Sequence, residues 1–286
     1  MIDDVALEEL ISAETDEFKK LVRTYVGEAI FFDALIGRDL AERPDVRNVI
    51  EVGSGVGLLS LLLAGRGYSV TAFEPESAGF SEMRRIRELV IRAWVGPVPN
   101  VRFIDGYLTK NLPDGFVPAD IGIAINVIEH VPDFSGFLDT CIEAVGAGRE
   151  FRFVCPNYVF PYEPHFNFFT FLTKRATWMW KKNAIKNSSL PDPVGMWNEL
   201  SWITPGKLVR AARSNSLDIS FSKRAMRAYV GRPLTDATFV ERKGAMGRYV
   251  LVPMAKVLRL FLGFVPTRIL PIIDVTVKKR TSKSAG

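Results

Sequence analysis

The chain predicts an α/β fold, a doubly wound and mostly parallel sheet of seven strands with helical and aromatic insertions. Three observations carry this. Short apolar runs at 48–53, 68–73, 101–104, 120–126 and 150–155 alternate, for the most part, with helix-length stretches of apolar residues at helical spacing. Strands joined through such helices need crossover connections and lie parallel. The first run enters a glycine-dense turn, NVIEVGSGVGLLS, with Gly53, Gly55 and Gly57 inside five positions. At 48% hydrophobic and 24% charged residues, the 286-residue chain can bury a large core and is not disordered.

Residues 1–44 predict an N-terminal helical cap, helical over 4–41 and closed by Pro44. The core spans 45–155, with helices at 56–65, 78–94 and 133–147 between the strands. After Cys155 the rhythm breaks: 156–200 is rich in Phe, Tyr and Trp interspersed with prolines, an insertion or lid. A helix at 205–214 and a strand at 217–222 continue the core over 201–223. A basic, apolar and irregular segment covers 224–269, and 270–286 holds a last strand, 272–277, with a basic tail.

Cys141 and Cys155 match neither a disulfide framework nor a zinc site. The acidic start MIDDVALEEL lacks the basic and apolar regions of a secretory signal, so a reducing, cytoplasmic setting is expected. The net charge of +5 is uneven: from Phe221 onward 14 Lys and Arg face 3 Asp and Glu, a local +11. Such asymmetry predicts an anionic surface as a partner.

A glycine turn feeding a helix N-terminus offers free N–H groups and a positive dipole end to an electron-rich ligand. The dinucleotide fingerprint G-x-G-x-x-G would want glycine where Leu58 stands, which disfavours a nicotinamide oxidoreductase. Glu74 ends the second strand in YSVTAFEP, 21 positions after Gly53, where a carboxylate can accept both ribose hydroxyls of an adenosine ligand. VIEVGSGVG, VTAFEP and ADIGIAINVIEHVPD, in that order, resemble the motifs of class I S-adenosylmethionine-dependent methyltransferases, in their ubiquinone-biosynthesis-like small-molecule branch. The resemblance covers about residues 45–155. It implies S-adenosyl-L-methionine as cofactor, the Rossmann-like methyltransferase sheet, and an antiparallel pairing of 217–222 with 272–277. By match, Glu51, Gly53, Ser54, Gly55 and Gly57 surround the methionine part, Glu74 holds the ribose, and Asn126 lines the methyl-donor pocket. The family's Gly-Asp turn after the third strand is replaced by Asp105-Gly106-Tyr107, so Asp105 is the candidate adenine contact, one position early, beside Gly106.

Methyl transfer from a sulfonium is an in-line displacement, so the protein mainly aligns the nucleophile and excludes water. An alcohol acceptor calls for a general base. The two histidines, His130 and His165, both follow predicted strands on the ligand-binding edge of the sheet. His165 and His130 are the candidate catalytic residues, His165 as base or substrate contact and His130 with the loop-holding role that the resemblance more often implies, with Glu129 and Glu163 as further candidate bases. No second and third carboxylate flank Glu129, and no metal is expected. The fourth strand ends Asn126-Val127-Ile128-Glu129, not in the Asn/Asp-Pro-Pro-aromatic stretch of methyltransferases acting on bases, so no nucleic acid is expected as substrate.

CPNYVFPYEPHFN and WNELSWITP are more loosely similar to bacterial methyltransferases associated with polysaccharide and glycolipid synthesis. That similarity implies a hydroxyl of a glycan, nucleotide-sugar or lipid-linked intermediate as acceptor. A quinone-like or aromatic small molecule is the alternative, and a non-catalytic S-adenosylmethionine-binding or membrane-associated module is another. Residues 248–270 form the most apolar stretch, interrupted by Lys256 and Arg259. A buried core helix is one reading. An interfacial helix on an anionic membrane surface, at the inner face of the membrane, is the other.

Overall fold

The computed structural model describes residues 2–75, 81–113, 115–171, 173–188, 192–236, 239–240 and 247–280. The elements are helices α1 (Asp4–Ile11) and α2 (Asp16–Ala41), strand β1 (Asn48–Val52), α3 (Leu58–Gly65), β2 (Ser69–Glu74), α4 (Ser81–Arg92), β3 (Val101–Asp105) and β4 (Ala119–Ile125). After these come α5 (Phe134–Glu143), β5 (Val145–Pro156), a short hairpin of β6 (Tyr162–Glu163) and β7 (Phe168–Phe169), α6 (Lys174–Lys186) and α7 (Pro193–Glu199). The described chain closes with α8 (Pro205–Ser214), β8 (Leu217–Ser222), α9 (Arg224–Thr235), α10 (Val252–Phe261) and β9 (Ile272–Lys279). Seven strands form one sheet in the order β3-β2-β1-β4-β5-β9-β8.

The chain divides into two compact units, Met1–Ile125 with Asp139–Phe151, and Asn126–Leu138 with Arg152–Ser282. In the first, β3, β2, β1 and β4 run parallel, with Val49 opposite Val70 and Ile121. The apolar faces of α1 and α2 close onto α3 and α4 in one cluster that includes Ile11, Val22, Leu61, Ile86 and Val90, each at most 1% exposed. The sequence predicts one helical stretch over 4–41. The structure breaks it at Thr15, which turns extended so that its hydroxyl accepts the Phe18 N–H and caps α2. α3 starts two residues later than predicted because Gly57 takes the left-handed conformation as its N-cap. Part of the helix predicted at 78–94 lies outside the described residues; of the described part, α4 ends at Arg92, and Trp94 forms an isolated bridge with Ile2 instead.

In the second unit β8 and β9 pair antiparallel, with Ile219 opposite Val277, as the resemblance implies. The aromatic insertion builds its own cluster, in which Tyr158, Ile185, Trp197, Leu200 and Trp202 are buried and Phe166, Phe168 and Trp178 pack on them. The buried Arg152 makes a two-toothed ion pair with Asp274 at 2.8 Å per bond, and Asp274 also accepts the Ala225 N–H at the start of α9. That contact explains a correction. The segment 224–269 reads as irregular in sequence apart from the helix expected within 248–270, which is α10; α9 is the helix that this reading misses. Gly231 and Pro233 obscure the helix pattern of α9, and its N-terminal partner comes from β9, far along the chain. A second correction concerns 133–147: α5 ends at Glu143 and β5 begins at Val145, before the left-handed Gly148 (φ 76°). No described helix is long and apolar enough to cross a membrane.

Candidate active site

The glycine loop sits at the carboxyl ends of parallel strands, where open α/β sheets bind ligands. Gly53, Gly55 and Gly57 have φ of 70°, 53° and 75°, a region costly for any residue with a Cβ. The Gly53 and Ser54 N–H groups bond to Phe73 O at 2.9 and 3.1 Å, tying the loop to the end of β2. A Cβ on Gly55 would meet nothing within 4 Å, so open space lies on that side. A Cβ on Gly57 would fall 2.4 Å from the Phe103 ring, so this glycine makes room for β3. The Ser54 hydroxyl is buried and has no hydrogen-bond partner among the described residues, and a buried polar group ordinarily has one.

Two carboxylates face this loop. Glu74 Oε2 accepts the Gly55 N–H at 2.8 Å, and burial raises the Glu74 pKa against the pull of that bond and of Arg87. Glu51 is buried and accepts the Ser60 hydroxyl; burial, with the Glu74 charge behind it, pushes its pKa up to about 7. Asp105 lies beside Glu74 in register, and Gly106 N–H reaches Glu74 O at 3.3 Å. The structure thus gathers Glu51, Gly53, Ser54, Gly55, Glu74, Asp105 and Gly106 at one edge, while Tyr107 points out at 78% exposure. Two contributors carry no sequence signal. Arg87 from α4 donates to Val56 O at 2.8 Å and Gly55 O at 3.0 Å while stacking over Phe103, and so clamps the loop. Tyr25 from α2 lies close enough for the Glu74 charge, after burial, to raise its pKa.

Asn126 belongs to the second unit. It is exposed at φ 55°, with its N–H on Val154 O at 2.8 Å, and it opens the turn that carries Ile128–His130. Ser201 braces that turn, its N–H reaching Glu129 O and its hydroxyl Val131 O, both at 2.6 Å.

Here the second unit brings together the four groups that the sequence names separately. His130 and His165 meet edge to face with ring centroids 5.0 Å apart. His165 Nδ1 lies 2.6 Å from Glu163 Oε1, and the buried Glu163 also accepts the Tyr158 hydroxyl at 3.1 Å and the Phe166 N–H at 2.6 Å. Burial opposes charge on His165, but the Glu163 bond and charge outweigh it, and the His165 pKa is raised. Burial, with the His165 charge, pushes His130 down to about 4, which keeps it neutral. Glu129 is fully buried, neither of its carboxyl oxygens has a hydrogen-bond partner among the described residues, and burial pushes it up to about 7. Glu129, His130 and His165 each offer a ligand atom within 4.8 Å of the others. The metal-free expectation considered only flanking carboxylates; the donor set that the fold assembles is one carboxylate and two imidazoles.

Residues 28–184 match the family described as "Methyltransferase domain". Uncharacterized proteins of two Mycobacterium tuberculosis strains are each 34% identical to this chain over 94% of its length and 92% of theirs. Among solved structures, a chain from the complex of the Haloferax volcanii Trm112 methyltransferase activator with a methyltransferase superposes with a TM-score of 0.50. It is 14% identical and covers 93% of this chain and 97% of its own, a likeness of fold. The family match spans more than half of the chain and takes in the glycine loop, both histidines and the strands that present them: this protein belongs to the methyltransferase-domain family.

Proposed function

We propose that the protein methylates a hydroxyl group of a glycan, nucleotide-sugar or lipid-linked intermediate, with S-adenosylmethionine as donor and His165 as general base. When bound, S-adenosylmethionine supplies an electrophilic sulfonium methyl. The loop suits it: open space at Gly55, the orphaned Ser54 hydroxyl, the Glu74 carboxylate bonded to the Gly55 N–H at the end of β2, and a buried Glu51 carboxyl that a ligand ammonium would ionise.

The observation that carries the hydroxyl reading is the Glu163–His165 pair. An alcohol is a weak acid and needs its proton removed as the new bond forms. Glu163 engages Nδ1, fixes the tautomer with the proton there, and leaves Nε2 as the atom that takes a proton. The Tyr158 and Phe166 bonds hold Glu163 in place for that task. The acceptor class rests on the looser similarity of the insertion to polysaccharide- and glycolipid-associated methyltransferases. Incubating the protein with methyl-labelled donor and a membrane extract should label a glycan or lipid-linked product. His165→Ala should cut turnover about 10²–10⁴-fold while S-adenosylhomocysteine still raises the melting temperature. Labelling of an aromatic or quinone-like product would move the acceptor, and undiminished turnover in His165→Ala would remove the base.

Glu129 favours a second reading, in which Glu129, His130 and His165 hold a divalent ion. A buried carboxylate with no partner is costly, and a dication is one partner that offsets the cost. In that case Glu163 plays the familiar orienting role behind a histidine ligand. Titration with Mn²⁺ or Zn²⁺ alone, read by calorimetry, separates the two: saturable binding lost in Glu129→Gln supports the ion, and full activity in a chelator excludes it.

A further inference from the structure

We propose that α10 and the turn after it form a docking surface for an anionic lipid bilayer. The inference is independent of the donor site and of the acceptor. Of the α10 residues, only Ala255 is buried, and Leu262 just beyond it is buried too. The segment is pinned at that end, where Lys223 Nζ donates to Leu262 O at 3.1 Å and to Gly263 O at 2.5 Å. Its other side is open. Val257, Leu260, Phe261 and Phe264 are 53%, 74%, 58% and 85% exposed, which rules against the core-helix reading of the sequence.

The arrangement around the helix is the informative part. At about 100° per residue, Val257, Leu260 and Phe261 fall within roughly 60° of the point opposite Ala255. A helix facing water is polar there; this one is apolar. Arg259 instead falls toward the buried side, about 40° from Ala255, and Lys256 on the flank, about 80° from the point opposite it. From there long stems let the charged heads reach a headgroup layer while the apolar crest enters the acyl boundary. Arg248 and Arg268 are exposed on either side of the helix in sequence, and no acidic residue occurs from 247 to 273. Ten residues at about 1.5 Å each span only half of a ~30 Å hydrocarbon core, so the helix lies in the interface and does not cross. The uniform positive charge also decides between occupants: two copies of this face would repel each other, whereas phosphatidylglycerol headgroups complement it.

The test is co-sedimentation of the full chain with vesicles of phosphatidylcholine alone and of phosphatidylcholine mixed with phosphatidylglycerol. At low salt the protein should pellet with the anionic vesicles at least about tenfold more than with the neutral ones. High salt should release most of it, because the attraction is screened. Lys256→Glu with Arg259→Glu, and separately Leu260→Ser with Phe261→Ser, should each lower partitioning about tenfold or more with the melting temperature unchanged. Absence of vesicle binding, binding that both double variants leave intact, a soluble dimer through this face, or a marked fall in melting temperature in the Leu260/Phe261 variant would each overturn the proposal.

Discussion

Glu51 and Glu129 carry the most testable consequences of single residues. Each is held protonated between its ordinary 4.5 and about 7 in the folded protein, while the unfolded chain ionises near 4.5. The folded state then binds more protons across that window, so each group lowers stability as pH rises through it, by about 3 kcal/mol at full effect. His130 acts in the opposite sense: its pKa falls to about 4, so its contribution grows as pH rises from 4 to 6.5. At pH 8 the histidine effect is complete and the two carboxylates are ionised. Glu51→Gln should therefore melt higher than the parent at pH 8 and no higher at pH 4, while losing part of the stabilisation by S-adenosylhomocysteine. A lower melting point at pH 8 would show that the Ser60 bond to Glu51 outweighs its burial. For His165 the raised pKa predicts that kcat climbs through a value above the ordinary 6.5 of histidine. Glu163→Gln should bring that limb down in pH and lower kcat with little change in KM for the donor. A pH profile unchanged in Glu163→Gln would detach the pair from catalysis.

Among the elements, the glycine loop divides its tasks residue by residue. Gly57→Ala has to place a Cβ at φ 75° and push it into Phe103, so a loss of about 2–4 kcal/mol is expected in chemical denaturation. Gly55→Val meets open space, so its stability cost should be the smaller of the two, at about 1–2 kcal/mol, but it should abolish the thermal shift given by S-adenosylhomocysteine. If Gly57→Ala proved as stable as the parent, Phe103 would not be the reason for that glycine. Arg87→Ala frees both loop carbonyls and should weaken ligand binding without touching any group that faces the ligand's open side. The aromatic insertion is a further element whose role sequence could state only in general terms. Its side chains pack on one another around Trp197 and Trp202, and the same packing presents His165 from the β6–β7 hairpin to His130.

At the level of the whole molecule, ligand linkage and the buried Arg152–Asp274 ion pair each make a testable contribution to stability. S-adenosylhomocysteine at a hundred times its Kd should add about 2.7 kcal/mol to unfolding by mass action, and NAD should add nothing. Arg152→Leu would strand Asp274, which is 1% exposed, and should cost about 3–5 kcal/mol. Replacing the pair together, Arg152→Leu with Asp274→Asn, should recover part of that loss, since Asn can still accept the Ala225 N–H. No recovery would mean that the charge pair itself, and not the stranded carboxylate, sets the cost.

The sequence by itself determined the alternation of strand and helix, the turn geometry demanded by Gly53, Gly55 and Gly57, and Glu74 at the end of β2. These are local: apolar periodicity and backbone permissiveness depend on residues a few positions apart, and the composition of a short window records them. The strand pairing of 217–222 with 272–277 came from the family's pattern, and the register of β8 and β9 bears it out. Tertiary structure alone decided the rest. Phe103 fills the space beside Gly57, and Arg87 grips the loop from another helix. Asp274 caps α9 from a distant strand, so a helix that its own glycine and proline conceal still forms. Glu129, His130, Glu163 and His165 become one cluster only when the aromatic insertion folds on itself; burial there pushes Glu129 up and His130 down, while the Glu163 bond and charge raise His165. Whether Leu260 and Phe261 face a core or the outside depends on which elements pack nearby, and a linear pattern does not contain that information.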